Sequence, residues 1–196
     1  MFMSHSLSGY KVAIVVGNGF HQNDLTDMQK AVMAQGGTPR IISCETGLVN
    51  GWVEGGWGHN FAVEEPLSTA LGSDFDALVI PGGERSIQKL KLTPHSKRFL
   101  NSFFNAGKPL ALMDEAVSIL AHSDHMAGKT MTAPAVMKDM VVAAGAVWDD
   151  NNISMDDHLM SVTLTDETRA DVIGSIIAFF AEKLHANAMM HAERAA

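Results

Sequence analysis

The chain is predicted to be an α/β protein, a three-layer sandwich with a mostly parallel sheet between helices, on three observations. Short β-branched apolar runs recur along it, segments of helical period alternate with them, and two of the runs stop at glycine-rich loops. The opening run, residues 11–16 (KVAIVV), reads as a buried parallel strand ending at Gly17-Asn18-Gly19. From Asp24 the period becomes helical, with Leu25, Met28 and Val32 on one face and Gly36-Gly37 as the stop. Residues 40–43 form the second strand, and residues 76–80 (DALVI) the third, closed by Pro81-Gly82-Gly83. Between them, residues 48–62 hold Trp52, Trp57 and several glycines, the composition of a hairpin or an ordered loop.

Thr93-Pro94 opens a helix that carries Phe99, Phe103 and Phe104 and ends at Ala106-Gly107. Residues 109–113 (PLALM) are the fourth buried strand, followed directly by helix over 115–121. A further helix is predicted over 137–144, paired strands over 153–162 turning at Asp156-Asp157, and a closing amphipathic helix over 166–184. One domain is expected over 11–184, with a flexible N-terminal segment over 1–10 and a polar tail over 185–196 that frays.

Composition narrows the function. Of 196 residues 46% are hydrophobic and 18% charged, the balance of a globular protein, and the net charge is −8. Without a Lys/Arg-rich run, nucleic acid is not an expected partner. No apolar run reaches the ~18 residues of a membrane span, and residues 1–10 lack the pattern of a secretory signal. The single cysteine, Cys44, allows neither an intrachain disulfide nor a cysteine-cluster metal site. A soluble cytoplasmic protein is therefore expected, with no membrane contact.

In open parallel sheets, ligands sit beyond the carboxyl ends of the strands near the topological switch point. That rule singles out the loops 17–24, 81–85 and 113–116. The same loops carry a resemblance. KVAIVVGNGFHQNDL, FDALVIPGG and GKPLALMDEAVSIL resemble the first strand and helix, the Gly-Gly loop and the nucleophile-elbow strand of the ThiJ/PfpI superfamily, which has a class I glutamine amidotransferase-like, flavodoxin-like fold. GGERSIQKL and VEEPLSTALGSDFDALV are similar to the flavodoxin-like C-terminal domain of large-subunit catalases. The superfamily's elbow usually reads Cys-His, backed by an acid from the first helix. Here the matching residues are Asp114-Glu115 and Asp24, and Ala133 stands before Pro134, where some relatives have histidine. The resemblance implies a protein without the nucleophilic cysteine, non-hydrolytic, with a stress-related, ligand-binding or interaction role, assembled as a homodimer or larger.

The alternative is a cofactor-independent hydratase, lyase or glyoxalase-like enzyme acting on a small carbonyl or nitrile-like compound; a peptidase is not expected. Its candidate catalytic residues are Asp24, Asp114 and Glu115, with Gly83 and His21 as candidate ligand-binding residues. Two adjacent carboxylates do not both ionise cheaply, so one of the Asp24/Asp114 pair is expected to hold a proton near neutral pH and act as acid or base. The backbone N–H of Gly83 and those of the elbow would polarise a carbonyl. Asp114 could instead mimic a cysteine sulfinate, or simply cap the helix that follows it. His21 with Asp114 and Glu115 offers N and O ligands, but the spacing matches no recognised metal motif, and neither metal nor cofactor is expected.

Overall fold

The computed structural model describes residues 6–195. In chain order its elements are β1 (Lys11–Val16), β2 (Phe20–His21), α1 (Gln22–Ala34), β3 (Thr38–Ser43), β4 (Leu48–Val53), β5 (Gly56–Ala62), β6 (Glu65–Pro66) and β7 (Ala77–Ile80). There follow α2 (Glu84–Lys91), α3 (Pro94–Ala106), β8 (Leu110–Met113), α4 (Ile119–His122), β9 (Thr130–Met131), α5 (Lys138–Ala143), β10 (Val147–Trp148), β11 (Ile153–Asp156), β12 (Leu159–Val162) and α6 (Arg169–Ala195). The fold is α/β, with a mostly parallel central sheet flanked by helices, as predicted.

The seven-stranded sheet has the order β11-β12-β8-β7-β1-β3-β6. Its pairings are parallel except β11 with β12, which run antiparallel. The central strands are apolar at every buried position because both faces are covered. In β1, Val12, Ile14 and Val16 enter the core under α1 and α6, while Ala13 and Val15 enter the core under α2 and α3. The same alternation sends Leu78 and Ile80 of β7, and Leu110 and Leu112 of β8, to the second core. Burying each such Val, Leu or Ile contributes roughly 1.5–3 kcal/mol of transfer free energy.

The chain leaves β1 through α1 to β3 on one side and leaves β7 through α2 and α3 to β8 on the other. The switch point therefore falls between β1 and β7, and the loops 17–19 and 81–83 open at the same edge. A second sheet, β2-β4-β5, stands over this edge. Its β4–β5 hairpin is the one expected over 48–62, and the parallel pairing of His21 with Trp52 brings that tryptophan beside the β1 loop.

Several elements depart from the sequence reading. The helix expected over 115–121 is a tight 3₁₀ segment, Asp114–Ser118, followed by α4. Helix α2 was not foreseen: only Ser86, Ile87 and Leu90 are buried, too few apolar positions to declare a period. The short strands β2, β6, β9 and β10 escaped notice for the same lack of length. The closing helix runs to Ala195, past the polar tail expected from 185. Of the flexible segment expected over 1–10, residues 1–5 lie outside the described residues. Leu7 is fully buried and donates its N–H to Gln35 O at 2.8 Å. No described helix is long and apolar enough to cross a membrane.

Candidate active site

Asp114 follows directly on the end of β8, and its φ of 49° places it in the left-handed region. A non-glycine residue holds that conformation only where its surroundings impose it, and aspartate is among the few that tolerate it. The turn projects the side chain from the carboxyl edge of the sheet. Its Oδ1 accepts a hydrogen bond from the Leu164 N–H at 3.1 Å. That contact replaces the capping role considered for it, since the 3₁₀ segment after Met113 has no side-chain cap.

Asp24 sits in the first turn of α1 and is fully buried. Arg169, at the start of α6, donates from Nη1 to Asp24 Oδ1 at 2.7 Å. Asp24 Oδ2 accepts from the Gly82 N–H at 3.2 Å and lies 3.4 Å from His21 Nδ1. Burial opposes a charge on Asp24, but the hydrogen bonds from His21 and Arg169 outweigh it and hold its carboxyl below the ordinary range. The hydrogen bond to Asp24 raises the pKa of His21, favouring the imidazolium.

Asp114 behaves oppositely. Burial pushes it up to about 7 against the pull of the Leu164 N–H, and the charges of Asp24 and Glu115 add smaller upward pushes. Asp114 thus holds its proton up to about pH 7, chiefly through desolvation. Asp24 is engaged by Arg169 and His21, and ligand atoms of His21, Asp24 and Asp114 all lie within 4.8 Å of one another. Arg169 was missed: it lies 145 positions from Asp24, and no local pattern marks such a contact.

Gly83 lines the pocket described below, with its N–H already engaged. Its N–H, expected to polarise a substrate carbonyl, donates to Glu115 Oε2 at 3.0 Å. The loop leaves little room for a side chain at either glycine, and least at 83. A Cβ on Gly82 would stand 2.7 Å from His21 Nδ1, and Gly83 has φ 116° with Gly19 O only 2.7 Å from where its Cβ would be.

A pocket of about 690 Å³ opens beside His21 and Glu115, lined also by Trp52, Gly83 and Arg85 among others, with Asp114 behind His21 and not in the lining itself. His21, Asp24 and Asp114 each offer one ligand atom, all within 4.8 Å of one another. A divalent cation could be held there, but the Arg169 guanidinium already neutralises Asp24 and opposes a second positive charge. Cys44 is half-buried, and burial, then Glu45, raises its thiol pKa, so it lacks the thiolate character of a reactive cysteine.

A doubly wound sheet with a left-handed elbow at the end of an inner strand and a Gly-Gly loop facing it defines a class of α/β proteins whose pocket lies at the switch point. Within that class the chain belongs to the DJ-1/PfpI family, whose model matches residues 10–171. Protein DJ-1 homolog D of Arabidopsis thaliana is 38% identical over 91 residues, which cover 46% of this chain and 23% of that protein. A deglycase of Pyrococcus horikoshii is 26% identical over 151 residues, 77% of this chain and 88% of that one. Among solved structures, Drosophila melanogaster DJ-1beta superposes with a TM-score of 0.78 at 19% identity, covering 90% of this chain and 94% of that one. That likeness carries the fold.

Proposed function

We propose that this DJ-1/PfpI protein works without a thiol at its elbow and exchanges protons with a small carbonyl compound, Asp114 acting as base and His21 as acid. The observation that carries this reading is the Asp114 carboxyl, held at φ 49° with a pKa of about 7 beside a histidine oriented by a buried aspartate. A base with a pKa near the working pH combines adequate strength with adequate deprotonated population. Asp24, pinned by Arg169 and Gly82 N–H, fixes the His21 ring and favours its protonated form. The deglycase name of the archaeal relative supports a carbonyl-derived substrate.

Hydrolysis is disfavoured because the Gly82 and Gly83 N–H groups already serve Asp24 and Glu115 and cannot also receive an oxyanion. The same observation favours a second reading, a non-hydrolytic binding or interaction module, in keeping with the sequence's resemblance to the catalase C-terminal domain. A stress-related role, a cytoplasmic location and self-association as a homodimer or larger are expectations of both.

The test is turnover of small 2-oxo aldehydes and hydroxy-carbonyl compounds across pH. The acid limb of the profile should rise through about 7, and Asp114→Asn should remove turnover by roughly 100-fold or more while the protein stays folded. Turnover that survives Asp114→Asn undiminished removes the acid/base reading, and a folded protein that binds such compounds without turning them over supports the module.

A further inference from the structure

Arg85 is exposed on the wall of the pocket, and two neighbours hold it there. Its guanidinium lies 4.4 Å from the Trp52 ring centroid, the stacking arrangement of a cation on an aromatic face. Trp52 is itself braced by Trp57, edge-on at 5.2 Å. On the other side the Arg85 stem runs against Gly19, where a Cβ would fall 2.5 Å from Arg85 Cβ and 3.0 Å from its Cδ. Gly19 therefore clears the space that the stem occupies, and its φ of 88° suits no bulkier residue. Arg85 makes no ion pair or hydrogen bond to a side chain among the described residues, although Glu84 and Glu115 line the same pocket.

An arginine stacked on a ring and without an ion pair keeps the edge of its guanidinium free for an anionic ligand. Its planar fork matches a carboxylate, and its confinement lowers the entropy lost on binding. Two acids in the same wall work against a dianion such as a phosphate monoester, whereas one negative charge is matched by the guanidinium. We propose that Arg85, stacked on Trp52, seats the carboxylate of a small 2-oxo monocarboxylate whose carbonyl then faces His21 and Asp114. This deepens the acid/base reading by naming the substrate class of that pocket, and it rests on that reading for the carbonyl but not for the carboxylate.

Binding separates the two. Pyruvate and its neutral analogue pyruvamide are titrated into the full chain, with the His21 ring resonances and heat of binding as readouts. Pyruvate should bind at least tenfold more tightly than pyruvamide to the natural protein and to Asp114→Asn. The preference should fall to near one in Arg85→Gln, and to an intermediate value in Arg85→Lys and Trp52→Leu, each checked for folding by circular dichroism. Equal binding of the two compounds, no pyruvate binding at millimolar concentration, or a preference that persists in Arg85→Gln overturns the proposal. If the preference holds while Asp114→Asn retains turnover, the carboxylate seat stands and the acid/base reading alone is lost.

Discussion

Asp114 combines two costs at one position, a left-handed backbone and a buried carboxyl. Its pKa of about 7, against the ordinary 3.8, means that between about pH 4 and pH 7 the unfolded chain has released a proton that the folded chain still holds. Stability contributed by this group therefore falls as pH rises through that window, the reverse of an ion-paired aspartate. Asparagine keeps the acceptor for Leu164 N–H and tolerates the same backbone, but has no proton to lose. Asp114→Asn should match the natural protein near pH 4 and exceed its stability by roughly 2–4 kcal/mol at pH 8, read from urea unfolding. A difference that does not change with pH would remove the buried-acid account of this residue. His21 works in the other direction: its raised pKa gives stability that is complete below the unfolded value of 6.5 and is lost as pH climbs through the folded one.

At the scale of elements, the Gly82-Gly83 turn joins β7 to α2 and sets the spacing of the pocket's groups. The two glycines should fail differently. A Cβ at 82 would meet His21 Nδ1 at 2.7 Å and Glu115 Oε2 at 3.1 Å, ends of side chains that can shift, and Asp114 Cβ at 3.2 Å, which can give by only a few tenths of an ångström. A Cβ at 83 would meet the backbone of Gly19 and Phe20 at 2.7 and 2.8 Å, on a φ of 116°. Gly82→Ala is expected to cost about 1 kcal/mol while displacing the His21 resonances, and Gly83→Ala to cost roughly 3 kcal/mol or more. Comparable melting temperatures for the two variants would contradict this. The turn was legible because Pro-Gly-Gly after a β-branched run is a strong local signal, as were β1, β7 and β8. Helix α2 was not legible because its eight residues bury too little to show a period, and with it went any view of Arg85 beside Trp52. The elbow's place could be read from the chain, whereas its 3₁₀ geometry and the capture of Gly83 N–H by Glu115 depend on packing.

Across the whole molecule, the site is closed by a contact between the first helix and the last. Arg169 of α6 meets Asp24 at 2.7 Å and Asp27 at 3.5 Å on α1, over an apolar interface that includes Leu25, Met28, Ile173 and Ile176. Sequence patterning identified both helices and their apolar faces, but pairing a charge at 24 with one at 169 requires the folded sheet between them. Arg169→Met leaves a fully buried carboxylate short of its nearest charged partner and should cost roughly 2–3 kcal/mol at pH 7, since the arginine is itself partly exposed. Asp24 has a lowered pKa, so this contribution is present above the ordinary 3.8 and disappears as pH falls through the folded value. The gap between Arg169→Met and the natural protein should therefore close below about pH 4 in denaturant titrations.

That same contact orders events in time. A ribosome delivers Asp24 and Asp114 long before residue 169, and domains complete their folding as units only when their closing elements have emerged. A nascent chain stalled after β12 carries the strands and the elbow but leaves Asp24 without its guanidinium, so the pocket gains its working charge distribution only as α6 docks.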